Sequence, residues 1–476
     1  MSEINALKLD LPQMEDYNSF HKQLHLPDEE DEEITSRFSY IIEKRSAGSH
    51  MKVKMGHVAN ETEIIYTVSK KFDSLFKAEM ITELPPIKVN KKYRSTISIC
   101  YPHNLGHHII IKGELRVNDD PLQSIDSIYL DIHSQYYQKE GMRDLYDEMI
   151  GNIPCLTEWT NELPPYPITT PQPWLFSKRI NTGLLILKSN NNITFTFHRR
   201  TKISELLRMR VKIKSQDGFE YKEIPCNLNY LDIDTDVIPI PELWGRYSQM
   251  TDSEREYRKS KQLKHEIWYD DVVITSSNNP MPLGSNVIIP LHSKTPVRHI
   301  FWVAQNIKTP KNRNFSNYTT NIENLYSGFS PCAKAGIKYG GSNRVPELPY
   351  YHFSRSEAYD FFPSAPSDPG YHVYTFSYEP EGNNADSSVD IDILNASLNL
   401  KLGDTDLFKS IEGNVEELDE EGNIIPVEAL EEDEAYLMKK EQYIIHVRLV
   451  VYKKLEVKWS NSENKLKYLI IDDATI

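Results

Sequence analysis

The run Pro296-Val297-Arg298-His299-Ile300-Phe301-Trp302-Val303-Ala304-Gln305 constrains the fold more than any other stretch of the chain. Successive side chains of a strand point to opposite faces. Val297, Phe301 and Val303 are therefore expected on one face, and Ile300, Trp302 and Ala304 on the other. Both faces are apolar. Such a strand needs cover on both sides, as in the core of a sandwich.

Strand patterns recur before and after it. His108 to Val117 would place Ile109, Ile111, Leu115 and Val117 on one face, and Ile193, Phe195 and Phe197 alternate with Thr194, Thr196 and His198. Between these runs Met142, Leu145, Tyr146, Met149 and Ile150 fall at helical spacing and predict one amphipathic helix. Later, Leu394, Ala396, Leu398, Leu400 and Leu402 line one face of a strand, and Tyr443, Ile445, Val447, Leu449 and Val451 line another. The stretch Asp232 to Pro241 interrupts regular structure. Thr251-Asp252-Ser253-Glu254 is a capping box that opens a charged helix to about His265, expected on the surface. Short strands with turn chemistry between them, on both sides of one break, predict two antiparallel sandwiches. The domains expected are an acidic arm over 1–33, a first unit over 34–235 and a second over 236–476, the last carrying an acidic insertion at 404–441.

Charge supports treating the arm and the insertion as appendages. The net charge is −15. Residues 1–36 hold ten acids against Lys8 and Lys22, and residues 404–441 hold fourteen against Lys409, Lys439 and Lys440. The remaining body is slightly basic. Neither the overall sign nor a basic stripe recommends nucleic-acid binding. The insertion mixes acids with Leu407, Ile424, Val427 and Leu430 without a sustained period. It is expected outside both cores, governing contacts with neighbours or with a basic partner. No run of about 18 apolar residues is present, and the first residues do not form a secretory signal. Cys100, Cys155, Cys226 and Cys332 are scattered, which suggests ordinary thiols in a reducing compartment. Glycosylation-type triplets begin at Asn60, Asn192, Asn314, Asn317 and Asn395 and carry little weight without a signal peptide.

Candidate chemistry is sparse. The cluster His103-Asn104-Leu105-Gly106-His107-His108, with Cys100 three residues before it, could converge on a metal; a turn leading into the next strand is the plainer reading. Asp131, Glu140, Asp144 and Glu158 are the carboxylates to test for a glycosidase pair, although nothing in the sequence brings two of them together. Asp419-Glu420-Glu421-Gly422-Asn423 only faintly echoes a calcium loop. Nucleophile elbows, phosphate loops and zinc-protease helices are absent from the sequence. No catalytic, cofactor-binding or metal-binding residue is assigned. Tyr350-Tyr351-His352-Phe353, with Phe361, Phe362 and Tyr371, is expected to serve as a protein interface, with core packing or sugar stacking as alternatives. The long linkers 306–333 and 342–370 are expected to be functional or to pack against neighbours.

Several segments resemble the double jelly-roll major capsid proteins of large eukaryotic double-stranded DNA viruses, the nucleocytoplasmic large DNA viruses. Pro296 to Gln305 is similar to that family's run from Pro-Val through a charged residue and Ile-Trp-Val to Gln. Asn395-Ala396-Ser397-Leu398-Asn399-Leu400 resembles its Asn-Ala-Thr-Leu-Asn-Leu strand, and Val373 to Pro380 its Val-Tyr-Ser-Phe-Ala-Leu-Lys-Pro. Ile128 to Ile150 resembles a strand feeding a short helix, while 163–166 and 171–176 resemble a Leu-Pro…Pro-Leu-Pro-Phe-Phe-Phe segment. The family's Gly-Asn-Pro-Gln-Ile-Thr-Phe-Phe-Lys opening and Gln-Pro-Ser-Gly turn are missing. The resemblance implies an all-β fold of two consecutive antiparallel eight-stranded jelly rolls with short helices in loops. It implies a non-enzymatic structural protein that forms homotrimers, pseudo-hexameric capsomers and an icosahedral shell. Its partners would be itself and minor capsid or membrane proteins, without direct nucleic acid or cofactors. It would reside in the virion, and in host cytoplasm during assembly. A scaffold or minor capsid paralogue on a membrane is the nearest alternative. A two-jelly-roll glycan-acting enzyme is the alternative from another class.

Overall fold

The structure is a computed structural model, and it describes residues 51–139, 141–177, 183–215, 218–262, 264–277, 279–380, 388–403 and 441–471. The arm 1–33, the acidic stretch 404–440, Glu140 and the calcium-like run 419–423 lie outside the described residues.

Two sandwiches account for most of the strands. In the first, one sheet runs Met51–Lys54, Glu242–Ser248, Ser74–Leu84, Tyr166–Pro171, with Leu184–Leu185 also paired to Ser74–Leu84. The facing sheet runs Gly56–Ala59, Glu63–Thr67, Ile193–Arg199, Ile110–Val117, Asp120–Asp126. Alternation on these strands sends Tyr66, Leu75, Met80, Leu115, Phe195, Phe197 and Leu243 into the common core. Two small three-stranded sheets cap one end over a satellite core that includes Ile97, Ile99, Leu163 and Leu206.

In the second sandwich the larger sheet runs His265–Ser276, Gln442–Ser460, Val297–Asn306, Tyr371–Thr375. Met281–Pro282 and Lys465–Ile471 add to Gln442–Ser460. Its partner sheet runs Asn286–Pro290, Ala396–Leu402, Cys332–Tyr339, Ser342–Pro349. The pairings in both sandwiches are antiparallel. Sheets of five with five and six with four strands exceed the eight per unit expected, because short pieces such as Leu184–Leu185 and Met281–Pro282 extend them.

All ten residues of Val297–Asn306 are buried, and the two faces have different cover. Ile300, Trp302 and Ala304 pack inside the second sandwich against Ile337, Leu398 and Leu400. Phe301 and Val303 join Val373, Val450, Leu455 and Val457 in a core continuous with that of the first sandwich. The second apolar face is thus the joint between the two units. Val297 departs from the expected alternation and lies with Ile300, because the register slips between Val297 and His299. The extra residue, Arg298, is buried: its Nη1 lies 3.1 Å from Asp270 Oδ1, and its guanidinium stacks 4.7 Å from the Tyr452 ring centre.

Four further expectations need correction. The chain does not leave the first unit at residue 235, since Glu242–Ser248 sits between two strands of its sheet; we place the division after Ser248. Among the described residues of 128–150 there is no strand but two helices, Ser127–Tyr136 and Arg143–Ile150. The Asp126 side chain accepts from Tyr129 N and starts the first of them. Ile111 is exposed rather than inward, because a register shift opposite His198 and Arg199 breaks the alternation after Ile110. The capped helix is Asp252–Ser260, with Thr251 accepting from Glu254 N. It is not wholly on the surface: Glu254 and Arg258 are buried side by side, and Arg255 reaches the buried carboxylate of Asp73 at 2.6 Å.

Candidate functional site

The densest polar constellation lies where the two sandwiches meet. Helix Leu105–Ile109 presents His107 and His108, helix Ser127–Tyr136 presents Asp131, and the linker 307–331 presents Ser316 and Tyr318. Close packing explains the glycine just before the two histidines, since a Cβ on Gly106 would stand 2.5 Å from Thr170 Oγ1. Asp131 is fully buried and sits at the centre. Its Oδ1 accepts from Asn104 Nδ2 at 3.2 Å and lies 2.7 Å from His107 Nδ1. Its Oδ2 accepts from Ser316 Oγ at 2.9 Å and Tyr318 Oη at 3.1 Å. His107 Nε2 continues to Tyr146 Oη at 2.9 Å, and His108 Nε2 meets Ser316 Oγ at 2.6 Å.

Burial alone would raise the pKa of Asp131. Charge and hydrogen bonds from His108 and His107 overcome it and hold the carboxyl well below its usual range. Burial pushes His108 down, against the pull of Asp131. The grouping of Ser316, His108 and Asp131 superficially suggests a nucleophilic triad. Its geometry is wrong for that role: Ser316 Oγ and Asp131 Oδ2 both lie on His108 Nε2, while Nδ1 has no partner. The group is also closed to substrate, because His107, His108, Asp131 and Ser316 are all buried. What it does chemically is fasten the linker 307–331 to the first sandwich.

The sequence candidates disperse in space. His103 turns away to Asn152 Oδ1 at 2.9 Å and to the Tyr326 ring. Cys100 is buried, and burial pushes its thiol up to about 12. Among the described residues no group of three His, Cys, Asp or Glu side chains converges as a metal set. Asp144 and Glu158 are exposed while Asp131 is enclosed, so they do not share a cleft with it. The aromatic run divides: Phe353, Phe362 and Tyr371 are core residues, whereas Tyr351 and Tyr359 stay exposed around the helical turns His352–Ser356 and Glu357–Phe361. Asn314 and Asn317 are buried in the linker, where a glycan has no room. A cavity of about 1080 Å³ opens between the hairpin of Gln442–Ser460 with Lys465–Ile471 and the turn at 118–121; its Glu463 carboxylate is held by Lys465 and Lys467 at 2.9 and 2.7 Å. Among the described residues no helix is long and apolar enough to cross a membrane.

Buried titratable groups give the fold a defined pH response. Burial pushes His265, His372 and His446 down to about 4. An unfolded histidine takes up its proton near 6.5. Stability is therefore lost as pH falls from about 6.5 to 4, at about 1.4 kcal/mol per pH unit for each histidine. Burial pushes Glu357 and Asp368 up to about 7, which works in the opposite sense over that window. Histidines held below their usual range, His103 and His108 among them, outnumber the raised carboxyls, so urea melts are expected to show falling stability below pH 6.5. His372→Gln should flatten that limb by about one proton's slope. A limb unchanged in the variant would mean His372 is protonated in the folded protein.

Comparison with known proteins places this architecture. Residues 256–422 match the family described as large eukaryotic DNA virus major capsid protein. The chain is 23% identical over 348 residues to the major capsid protein of Wiseana iridescent virus, covering 68% of this chain and 69% of the relative. It is 24% identical over 345 residues to that of Simulium iridescent virus, covering 68% and 70%. Among solved structures, PBCV-1 VP54 superposes with a TM-score of 0.60 at 13% identity, over 88% of this chain and 96% of that one. The Faustovirus major capsid protein gives 0.60 at 9% identity, over 89% and 90%. The double jelly-roll fold is common to them.

Proposed function

We propose, from the match of this chain to the large eukaryotic DNA virus major capsid proteins in sequence and in fold, that it is a coat subunit acting as a homotrimer. The observation that carries this reading is the continuous core joining the two sandwiches. Two similar modules held rigidly in one chain, repeated three times about an axis, present six similar modules. Such a near-hexagonal tile fills flat facets without six-fold symmetry of its own.

The linker 307–331 supports this use. It joins two strands of the second unit, Val297–Asn306 and Cys332–Tyr339, and reaches across to the first unit on the way. Here Ser316 and Tyr318 are tied to Asp131, and Arg313 Nε donates to Ser204 O at 3.2 Å. A stiff tile transmits lattice contacts from one unit to the other. The exposed rings of Tyr351 and Tyr359 are available for contacts between copies. Function would reside in such surfaces, within the capsid of a virion, with minor capsid or membrane proteins as further partners.

Mass photometry of the purified protein at micromolar concentration should give three times the chain mass, and negative-stain images should show hexagonal outlines. A strict monomer across all salt concentrations would overturn the reading.

A further inference from the structure

The hairpin of Arg208–Ser215 and Gly218–Ile224 stands apart from both sandwich cores. Its first strand pairs on its other side with Ile97–Cys100, from Arg208 to Val211. Beyond that point it is a two-stranded ribbon, with Ile213, Lys214, Phe219, Tyr221 and Lys222 exposed. A ribbon of two strands is marginal in water without cover.

Directly opposed residues of such a ribbon share a face. The register sets Arg210 opposite Glu223, Lys212 opposite Tyr221 and Lys214 opposite Phe219. That face is a ladder of cations and rings. The Arg210 guanidinium lies 4.1 Å from the Tyr221 ring centre and 4.6 Å from that of Trp159, and Lys212 Nζ lies 4.2 Å from that of Phe219. Glu223, the carboxylate on this face, is engaged by Arg208. Phe219 is 66% exposed and Tyr221 47%. Stacked cations with outward rings form a surface that suits an acidic polypeptide carrying some aliphatic side chains.

We propose that this face docks the acidic segment 404–440 of the same chain. The segment holds thirteen carboxylates against three lysines, with Ile424, Ile425, Val427 and Leu430 among them. Its Glu441 flank connects to the base of the hairpin through the linker 307–331. Glu441, where the described structure resumes, bonds Asn306 and Lys308, the latter at 2.5 Å. Five residues beyond Lys308, Arg313 bonds Ser204, and Arg208 at the base of the hairpin donates to Glu323 O at 3.2 Å. Those five residues span at most about 18 Å and the eight from Ser204 to Lys212 at most about 29 Å, whereas 37 residues doubled back can reach about 60 Å. The ladder is therefore within reach of its own segment. The inference is independent of the trimer reading, since it needs a single copy.

Carbodiimide cross-linking of the full-length protein, in an equal mixture of isotope-labelled and unlabelled copies, tests it. Lys212 and Lys214 should be joined to carboxylates of 404–440 within single copies, and the yield should fall sharply in high salt. Phe219→Ser/Tyr221→Ser keeps the lysines and should lower the yield as well. In K212E/K214E, a glutamate-specific protease should cut 404–440 about tenfold faster than in wild type, with the melting temperature unchanged as for other surface substitutions. Lysines joined to the body of another copy, cross-links between differently labelled copies, or an unchanged cleavage rate would each overturn the proposal.

Discussion

Trp302→Ala is expected to cost about 3–5 kcal/mol, the range for truncating a fully buried aromatic residue, and to lower the melting temperature without touching any binding activity. Trp302 is completely enclosed. Its indole stacks on His372 with ring centres 5.5 Å apart, and it meets Phe353 edge-on at 5.2 Å. The side chain sits among Ile300, Ala304, Ile337 and Leu400, so its removal opens a cavity in the middle of the second core. The indole N–H has no hydrogen-bond partner, so Trp302→Phe should lose only volume and contact and should recover much of the stability. Denaturation midpoints of the two variants are the measurement. A wild-type midpoint in the alanine variant would place the indole outside the core.

The strand around Trp302 was legible because its signal is local: the consecutive residues Ile300 to Ala304 alternate between two apolar faces. The nature of the second face was not legible. Phe301 and Val303 look like sandwich-core residues in sequence, yet they pack across the joint, because hydrophobic periodicity reports burial without saying against what. Val297 escaped for a related reason. The slip at Arg298 depends on that guanidinium finding Asp270 and the Tyr452 ring, both distant in the chain. The helix Ser127–Tyr136 passes for a strand in sequence because Ile128, Tyr129, Leu130 and Ile132 suit either state, and the Asp126 cap that decides between them is a single residue. The capping box at Thr251 marked a true helix start, but Glu254 and Arg258 hid its buried face, since a paired charge inside looks the same in sequence as a solvated one. Helix 143–150 showed its Tyr146 and Ile150 correctly, while Met142 and Leu145, apolar at the same spacing, stayed exposed. Long-range polar pairing leaves the weakest signal in sequence. In sequence His107 and His108 suggest a metal cluster and Asp131 a glycosidase carboxylate, and only the fold reveals that they form one group.

That group carries the other large effect. Asp131→Ala should destabilise the protein by about 3–5 kcal/mol, because it removes the anion and strands the buried groups gathered around it. Asn104 Nδ2, His107 Nδ1, Ser316 Oγ and Tyr318 Oη all turn to this one carboxylate. Asp131→Asn should cost less, about 1–3 kcal/mol. It retains one acceptor oxygen for Asn104 and His107, and the two hydroxyls can rotate to accept from the new amide, since a hydroxyl is both donor and acceptor. The consequence should extend beyond the melting temperature. Ser316 and Tyr318 belong to the linker, and Asp131 belongs to the first sandwich, so losing Asp131 unfastens one unit from the other while Phe301, Val303 and Val450 still hold the apolar joint. Amide exchange should therefore accelerate in residues 314–320 in the alanine variant and much less in the strand Ala396–Leu402, which faces the opposite core. If the linker kept its protection in Asp131→Ala, the carboxylate would be an ordinary buried ion pair, and the stiffness of the two-sandwich tile would have to come from the apolar joint alone.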